Sequence, residues 1–203
     1  MLFRSDLEKD PLAAQVFKTI ADPYIGRLTM FRVFTGKMKP DSVVYNANKE
    51  KDEKIAQVLV MIGKEQAAVP ELYAGDIAAV AKLAVTSTGD TLTVKANPVI
   101  MDPIEFPEPT LSIAIEPKSK GDEDKLSGAM QRLLEEDPTI QVDKNVETKQ
   151  TILKAMGDTH IDIVIEKLAR KFGVDVITKE MKIPYRETIR ATVEAEGKHK
   201  KQS

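Results

Sequence analysis

The apolar positions change their period once along the chain. Up to about residue 95 they come in short alternating runs broken by turn signals. "AAQVFKTIAD", "RLTMFRVFTG" and "KMKPDSVVYN" succeed one another at a spacing of about 10 to 12 residues, with "PYIG" as the first turn, and "ELYAGDIAAVAKL" and "TSTGDTLTV" add two more turn-bounded strands. That spacing predicts about six or seven strands folded as a small β-barrel or sandwich. Gly26 and Gly36 bracket one strand with Leu28, Met30, Arg32 and Phe34 on one face and Arg27, Thr29, Phe31 and Val33 on the other. Apolar residues on both faces predict a central strand. "EKIAQVLVMIG" fits helix or strand by pattern, and its β-branched residues and flanking turns favour a strand.

From Leu111 onward the pattern is different. "LSIAIEP" sets Leu111, Ile113 and Ile115 on one face of a strand, and Leu126, Ala129, Met130, Leu133 and Leu134 then follow at helical spacing. Asp122, Glu123 and Asp124 suit the positive end of that helix's dipole, and Pro138 stops it. "IQVDKN" and "QTILKAM" predict a hairpin around "VETK". A second helix starts near Asp158, buries Ile161, Val164, Ile165, Leu168 and Phe172, and ends at Gly173 before a last strand in "VDVITKE". The order β-α-β-β-α-β is that of a ferredoxin-like split βαβ domain, with two helices on one face of a four-stranded antiparallel sheet.

Pro98, Pro103, Pro107 and Pro109 crowd the segment between the two patterns, where each proline removes a ladder donor. The expected organisation is therefore a β-barrel over residues 1–102, a ferredoxin-like domain over 103–183 and the truncated start of another domain over 184–203. The fold class is multidomain, β followed by α+β.

Composition narrows the chemistry. The 203 residues are 42% hydrophobic and 31% charged, a globular balance with enough chain for two compact domains. There is no cysteine, which excludes disulfides and thiolate chemistry. No apolar run approaches the roughly 18 residues that span a bilayer, and "MLFRSDLEKDPLA" has no signal-peptide core, so a cytoplasmic protein without membrane contact is expected. A net charge of −2 argues against coating nucleic acid by bulk charge, although residues 184–203 hold five Lys and Arg against three Glu.

Searches for catalytic patterns fail on particular residues. The Gly-Lys pairs at 36, 63 and 197 are followed by Met38, Glu65 and His199 rather than the hydroxyl a phosphate-binding loop needs. "NKEK" at residue 48 is similar to a guanine-reading motif but ends on Lys51 instead of an aspartate. His160 and His199 have no second ligand at metal spacing, so no metal site is expected. Glu135, Glu136 and Asp137 read as a solvated helix edge. No catalytic, cofactor-binding or metal residue is assigned, and the chain by itself is expected not to be an enzyme.

The longer motifs resemble the translational GTPases of the elongation factor G type. "DPYIGRLTMFRVFTGKMKPDSVV", "YAGDIAAV" and "TGDTL" are similar to that family's second domain, a β-barrel. "EFPEPTLSIAIEPKSKGDEDKLSGAMQRLLEEDPT" and "MGDTHIDIVIEKLARKFGVDV" resemble its third, and "PYRETI" with "GKHKKQ" resembles the start of its fourth. The resemblance implies a fragment of a larger, cytoplasmic factor that couples GTP hydrolysis, with magnesium, to tRNA and mRNA translocation on the ribosome. It implies as partners small-subunit ribosomal RNA, ribosomal protein and a nucleotide-binding domain of the same factor. Lys37 and Lys39 are the implied RNA contacts. Pro107, Pro109, Asp137, Thr139 and His160 match the family residues that line the face toward the nucleotide domain, where fusidic acid lodges. "GDTHIDI" departs there, with Asp158 and Thr159 in place of Glu-Leu, which leaves a paralogous factor open beside the main translocase. A tetracycline-protection or release-type factor is the alternative, and a free-standing small ligand-binding enzyme the remote one.

Overall fold

The computed structural model describes residues 9–22, 26–63 and 65–199. Most of the "PYIG" turn, the first eight residues of the expected barrel and the last four of the basic tail lie outside the described residues.

Strands β1 (Ala13–Asp22), β2 (Gly26–Thr35), β4 (Ser42–Asn46), β5 (Lys51–Ile55), β6 (Leu59–Ile62), β7 (Glu65–Ala68), β9 (Ile77–Ala81) and β10 (Thr91–Thr93) form one sheet in the order β5-β4-β10-β1-β2-β9-β6-β7. β3 (Lys37–Met38) and β8 (Leu72–Tyr73) form a separate two-stranded ribbon. The sheet curls as a half-barrel around Val16, Phe31, Val33, Met38, Val44, Ile55, Leu72, Val80 and Leu92. Leu28, Leu59 and Ala79 make a second, smaller cluster. β2 is central as expected, but its two faces divide along its length: Phe31 and Val33 enter the large core and Leu28 the small one, while Arg32 and Phe34 face water.

Among the described residues the barrel part has ten strands, β1 to β10, in place of the expected six or seven. The extra ones are short, and "EQAA" of β7 is exposed throughout, so neither alternation nor apolarity marks it. The run "EKIAQVLVMIG" is two strands, broken at Ala56–Val58. Gly36 has φ +73°, and a Cβ there would lie 2.6 Å from the Leu12 backbone, so only glycine allows the chain to cross from β2 to β3.

A buried polar network stiffens the barrel. The Glu53 carboxylate accepts the backbone N–H groups of Ala84, Val85 and Thr86 and the Thr86 hydroxyl, all at 2.8–2.9 Å. Asn46 donates to Thr86 Oγ1 and to Asp90 Oδ2, which also accepts from Ser87 N–H. Burial pushes the Glu53 carboxyl up, but the four donors outweigh it and hold it below its ordinary value. Asn48, first residue of "NKEK", accepts from Thr91 N–H at 2.8 Å and so ties the β4–β5 turn to β10.

The second unit consists of β11 (Leu111–Pro117), α1 (Lys120–Glu136), β12 (Gln141–Lys144), β13 (Thr151–Ala155), α2 (Asp158–Phe172) and β14 (Val176–Lys179). Its antiparallel order β12-β13-β11-β14 is the split βαβ arrangement read from the sequence. Leu126, Ala129, Met130 and Leu133 of α1 and Ile161, Val164 and Leu168 of α2 meet Ile115, Leu153 and Ala155 of the sheet. Gly173, at φ 63°, closes α2 in the left-handed conformation, its N–H bonded to Ala169 O. No helix of the described residues is long and apolar enough to cross a membrane.

Candidate docking surface

Asp137 follows the last residue of α1, where a carboxylate opposes the helix dipole unless something compensates it. Here the compensation comes from neighbours. Asp137 Oδ1 accepts the Thr139 N–H at 3.0 Å and the Thr139 hydroxyl at 2.6 Å, and Oδ2 lies 3.0 Å from His160 Nε2 in the first turn of α2. His160 Nδ1 in turn accepts the Met156 N–H at 3.3 Å. That bond assigns the tautomer: Nδ1 carries the lone pair, so Nε2–H donates to Asp137. Burial pushes the Asp137 carboxyl up, yet the Thr139 bonds and then the His160 contact hold it below the usual aspartate value.

The proline segment runs along the same edge. Thr110, next to Pro109, donates its N–H to Ala155 O and its hydroxyl to Met156 O. Glu108, between Pro107 and Pro109, accepts from Gln141 at the start of β12 at 3.0 Å. Asp137, Thr139 and His160 are thus brought together where α1 ends and α2 begins, while Pro107 and Pro109 flank Glu108 and Thr110, which are bonded to Gln141 and to Ala155 and Met156. Sequence reasoning missed two residues of this surface. Met156 holds the His160 ring through its backbone while its side chain is 37% exposed, and Ile163, one turn beyond His160, is 45% exposed. For Ile163 the signal was available, since it falls off the apolar stripe that Ile161, Val164 and Leu168 define.

The expected solvated edge at Glu135–Asp137 is corrected. Glu136 accepts Lys171 Nζ at 2.5 Å, Lys167 Nζ at 3.3 Å and the Ala21 N–H of β1 at 3.3 Å, and Glu135 lies 3.7 Å from Arg27. Cations in the second half of α2 and on the barrel, far away in sequence, neutralise the acidic helix end.

Lys37 and Lys39 lie apart from this edge, on and just after β3. Lys37 Nζ sits 4.7 Å from the Tyr73 ring centroid and Lys39 pairs with Glu71 at 3.2 Å. The Tyr73 hydroxyl donates to Glu71 and, with Lys39 beside it, holds that carboxyl below its ordinary value. Both lysines are exposed. Among the described residues no group of three or more His, Asp or Glu is placed to hold a metal ion.

Comparison with known proteins places both units. Residues 11–95 match the family described as elongation factor G domain 2, and residues 106–180 the family described as elongation factor G, domain III. The chain belongs to the elongation factor G family. Its fold is similar to that of a crystal structure of a protein from Thermus thermophilus, with a TM-score of 0.77 and 30% sequence identity. The match covers 87% of this chain and 27% of that one, so this elongation factor G family chain spans about a quarter of that protein's length.

Proposed function

We propose that this chain serves as the ribosome-docking and interdomain-coupling part of a translational GTPase that promotes tRNA and mRNA translocation. The observation that carries the proposal is the bonding of Asp137 to Thr139 and to His160 where α1 ends and α2 begins, in a domain III of elongation factor G type. A face built this way is rigid, because each polar group is already bonded within the chain, and it is flanked by the exposed side chains of Met156 and Ile163. Such a face fits a protein surface, and the partner we assign to it is the nucleotide-binding domain of the same factor. GTP and magnesium are held by that partner, and the barrel's Lys37 and Lys39 meet phosphates of small-subunit ribosomal RNA, where each cation displaces counterions.

The exposed Asp158 and Thr159 stand at the departure from the family's Glu-Leu, which leaves a paralogous factor open beside the main translocase. The test is nuclear magnetic resonance of the isotope-labelled chain titrated with the purified GTP-binding domain of an elongation factor G. Shifts concentrated on residues 107–110, 137–139 and 156–163 are expected. Shifts confined to the barrel, or none at millimolar domain, would overturn the assignment.

A further inference from the structure

The described chain beyond β14 has no strand or helix, yet it does not simply trail from the sheet. Leu153 and Ala155 of β13 face the helices, so Gln150, Ile152 and Lys154 alternate onto the opposite face. Ala114 of β11, paired with Ile152, shares that helix-free face. Both helices lie on the other side, but Ala114 is fully buried and Ile152 nearly so.

The outgoing chain is what crosses this face. β14 runs antiparallel to β11 from Val176, opposite Pro117, to Lys179, opposite Ala114. Continued in register, it would carry residue 182 to the Leu111 end of β11. Lys182 instead meets Gln150, which precedes Thr151, the partner of Ile115, and so lies toward the other end of that strand. The chain therefore turns back after Lys179 and passes over the sheet.

Gln150, 2% exposed, holds the turned-back segment at two points. Its Oε1 accepts the Lys182 N–H at 2.8 Å and its Nε2 donates to the Glu180 carbonyl at 3.1 Å. The two partners fix the orientation of the amide, since a flipped group would set donor against donor. A carbonyl and an N–H on one extended segment are what a neighbouring strand would bond, and the side-chain amide takes that strand's place. Apolar burial adds little, because Met181 is 48% and Ile183 67% exposed. Arg186 and Glu147 form a second link, an exposed ion pair that water and salt weaken. Among the described residues no backbone–backbone bond ties residues 180–199 to the rest of the chain.

We propose that Gln150 is a positioning residue: its amide latches residues 180–182 across the helix-free face and thereby sets the direction in which residues 184 onward leave the second unit. Pro184 follows the latch directly. It restrains its own φ and the conformation of Ile183, so the heading fixed at Lys182 is carried to the exposed Tyr185. The latch uses bonds within this chain alone and does not depend on the partner assigned above.

Amide hydrogen exchange, followed by nuclear magnetic resonance on the full isotope-labelled chain, tests the latch. After correction for sequence, the Lys182 N–H should exchange about tenfold or more slowly than that of Arg190, further along the same segment. Equal rates overturn the proposal whatever any variant does. At 1 M salt, where the screening length falls to about 3 Å, the protection of Lys182 should persist. Its loss there would assign the hold to Arg186 and Glu147 and overturn the role of Gln150. Gln150→Met, of similar length and without the amide, should bring Lys182 to the Arg190 rate and increase the fast motion of residues 183–186, while the amides of Leu153 and Val164 keep their protection. A folded Gln150→Met chain in which Lys182 stays protected also overturns it.

Discussion

Two glutamates illustrate two ways of placing a carboxylate. Glu53 and Glu136 each accept several hydrogen bonds and both titrate below their ordinary value. The donors differ. Glu53 is buried in the barrel and is held by three backbone amides and one hydroxyl of a single loop, with no cation among them. Glu136 lies between elements, with two lysines from α2 and one amide from the barrel. The first arrangement fixes a loop to a body, because removing the acid strands the buried N–H and hydroxyl of Thr86. The second joins bodies, because its lysines regain water when it is removed. A carboxylate's count of bonds therefore says little about its role until one asks what its donors do without it.

The largest expected effect is on Glu53. Glu53→Gln should lower stability by about 3 kcal/mol, since one accepting oxygen becomes a donor facing donors. Thermal unfolding checks it, and a loss below about 1 kcal/mol would erase the contrast with Glu136. The pH dependence follows with a definite sign. Because the folded-state value of Glu53 is depressed, its stabilisation is present above the ordinary value of 4.5 and is lost as pH falls through the folded value. Acid unfolding of Glu53→Gln should consequently show a flatter limb below about pH 4.5 than the unsubstituted chain. Asp137→Asn comes next, at about 1 kcal/mol, because the asparagine oxygen can still accept from Thr139 while the His160 contact is weakened. Glu136→Gln should cost the least, under about 1 kcal/mol in the melting of either unit, its carboxylate being only partly buried and its partners solvable by water.

The periodic elements were legible from sequence because the period itself carries the geometry. Leu126, Ala129, Met130 and Leu133 could share a face only on a helix, and the order of strands and helices after Leu111 then allowed one topology. The short barrel edges were not legible, since β3, β7 and β8 are specified by their neighbours' unpaired backbone rather than by their own side chains. Within the candidate surface, His160 and Asp137 were legible as motif residues. Their bond spans 23 residues, and the Met156 amide that sets the ring's tautomer has no side-chain signature at all. Glu135 and Glu136 were misread as a solvated edge for the same reason: Lys167 and Lys171 reach Glu136 only once α1 and α2 are packed, and Arg27 reaches Glu135 only from the barrel.

The most direct measurement uses a complete factor that contains this chain, with His160→Ala and Thr139→Ala introduced together. Ribosome-stimulated GTP hydrolysis and tRNA translocation are measured separately, with the melting temperature of the isolated chain as the control for folding. Coupling through the Asp137–His160 edge predicts that at least one rate falls several-fold while the melting temperature changes by no more than about 4 to 8 °C, the shift that about 1 kcal/mol produces in a domain of this size. Two unchanged rates in the folded variant would contradict it.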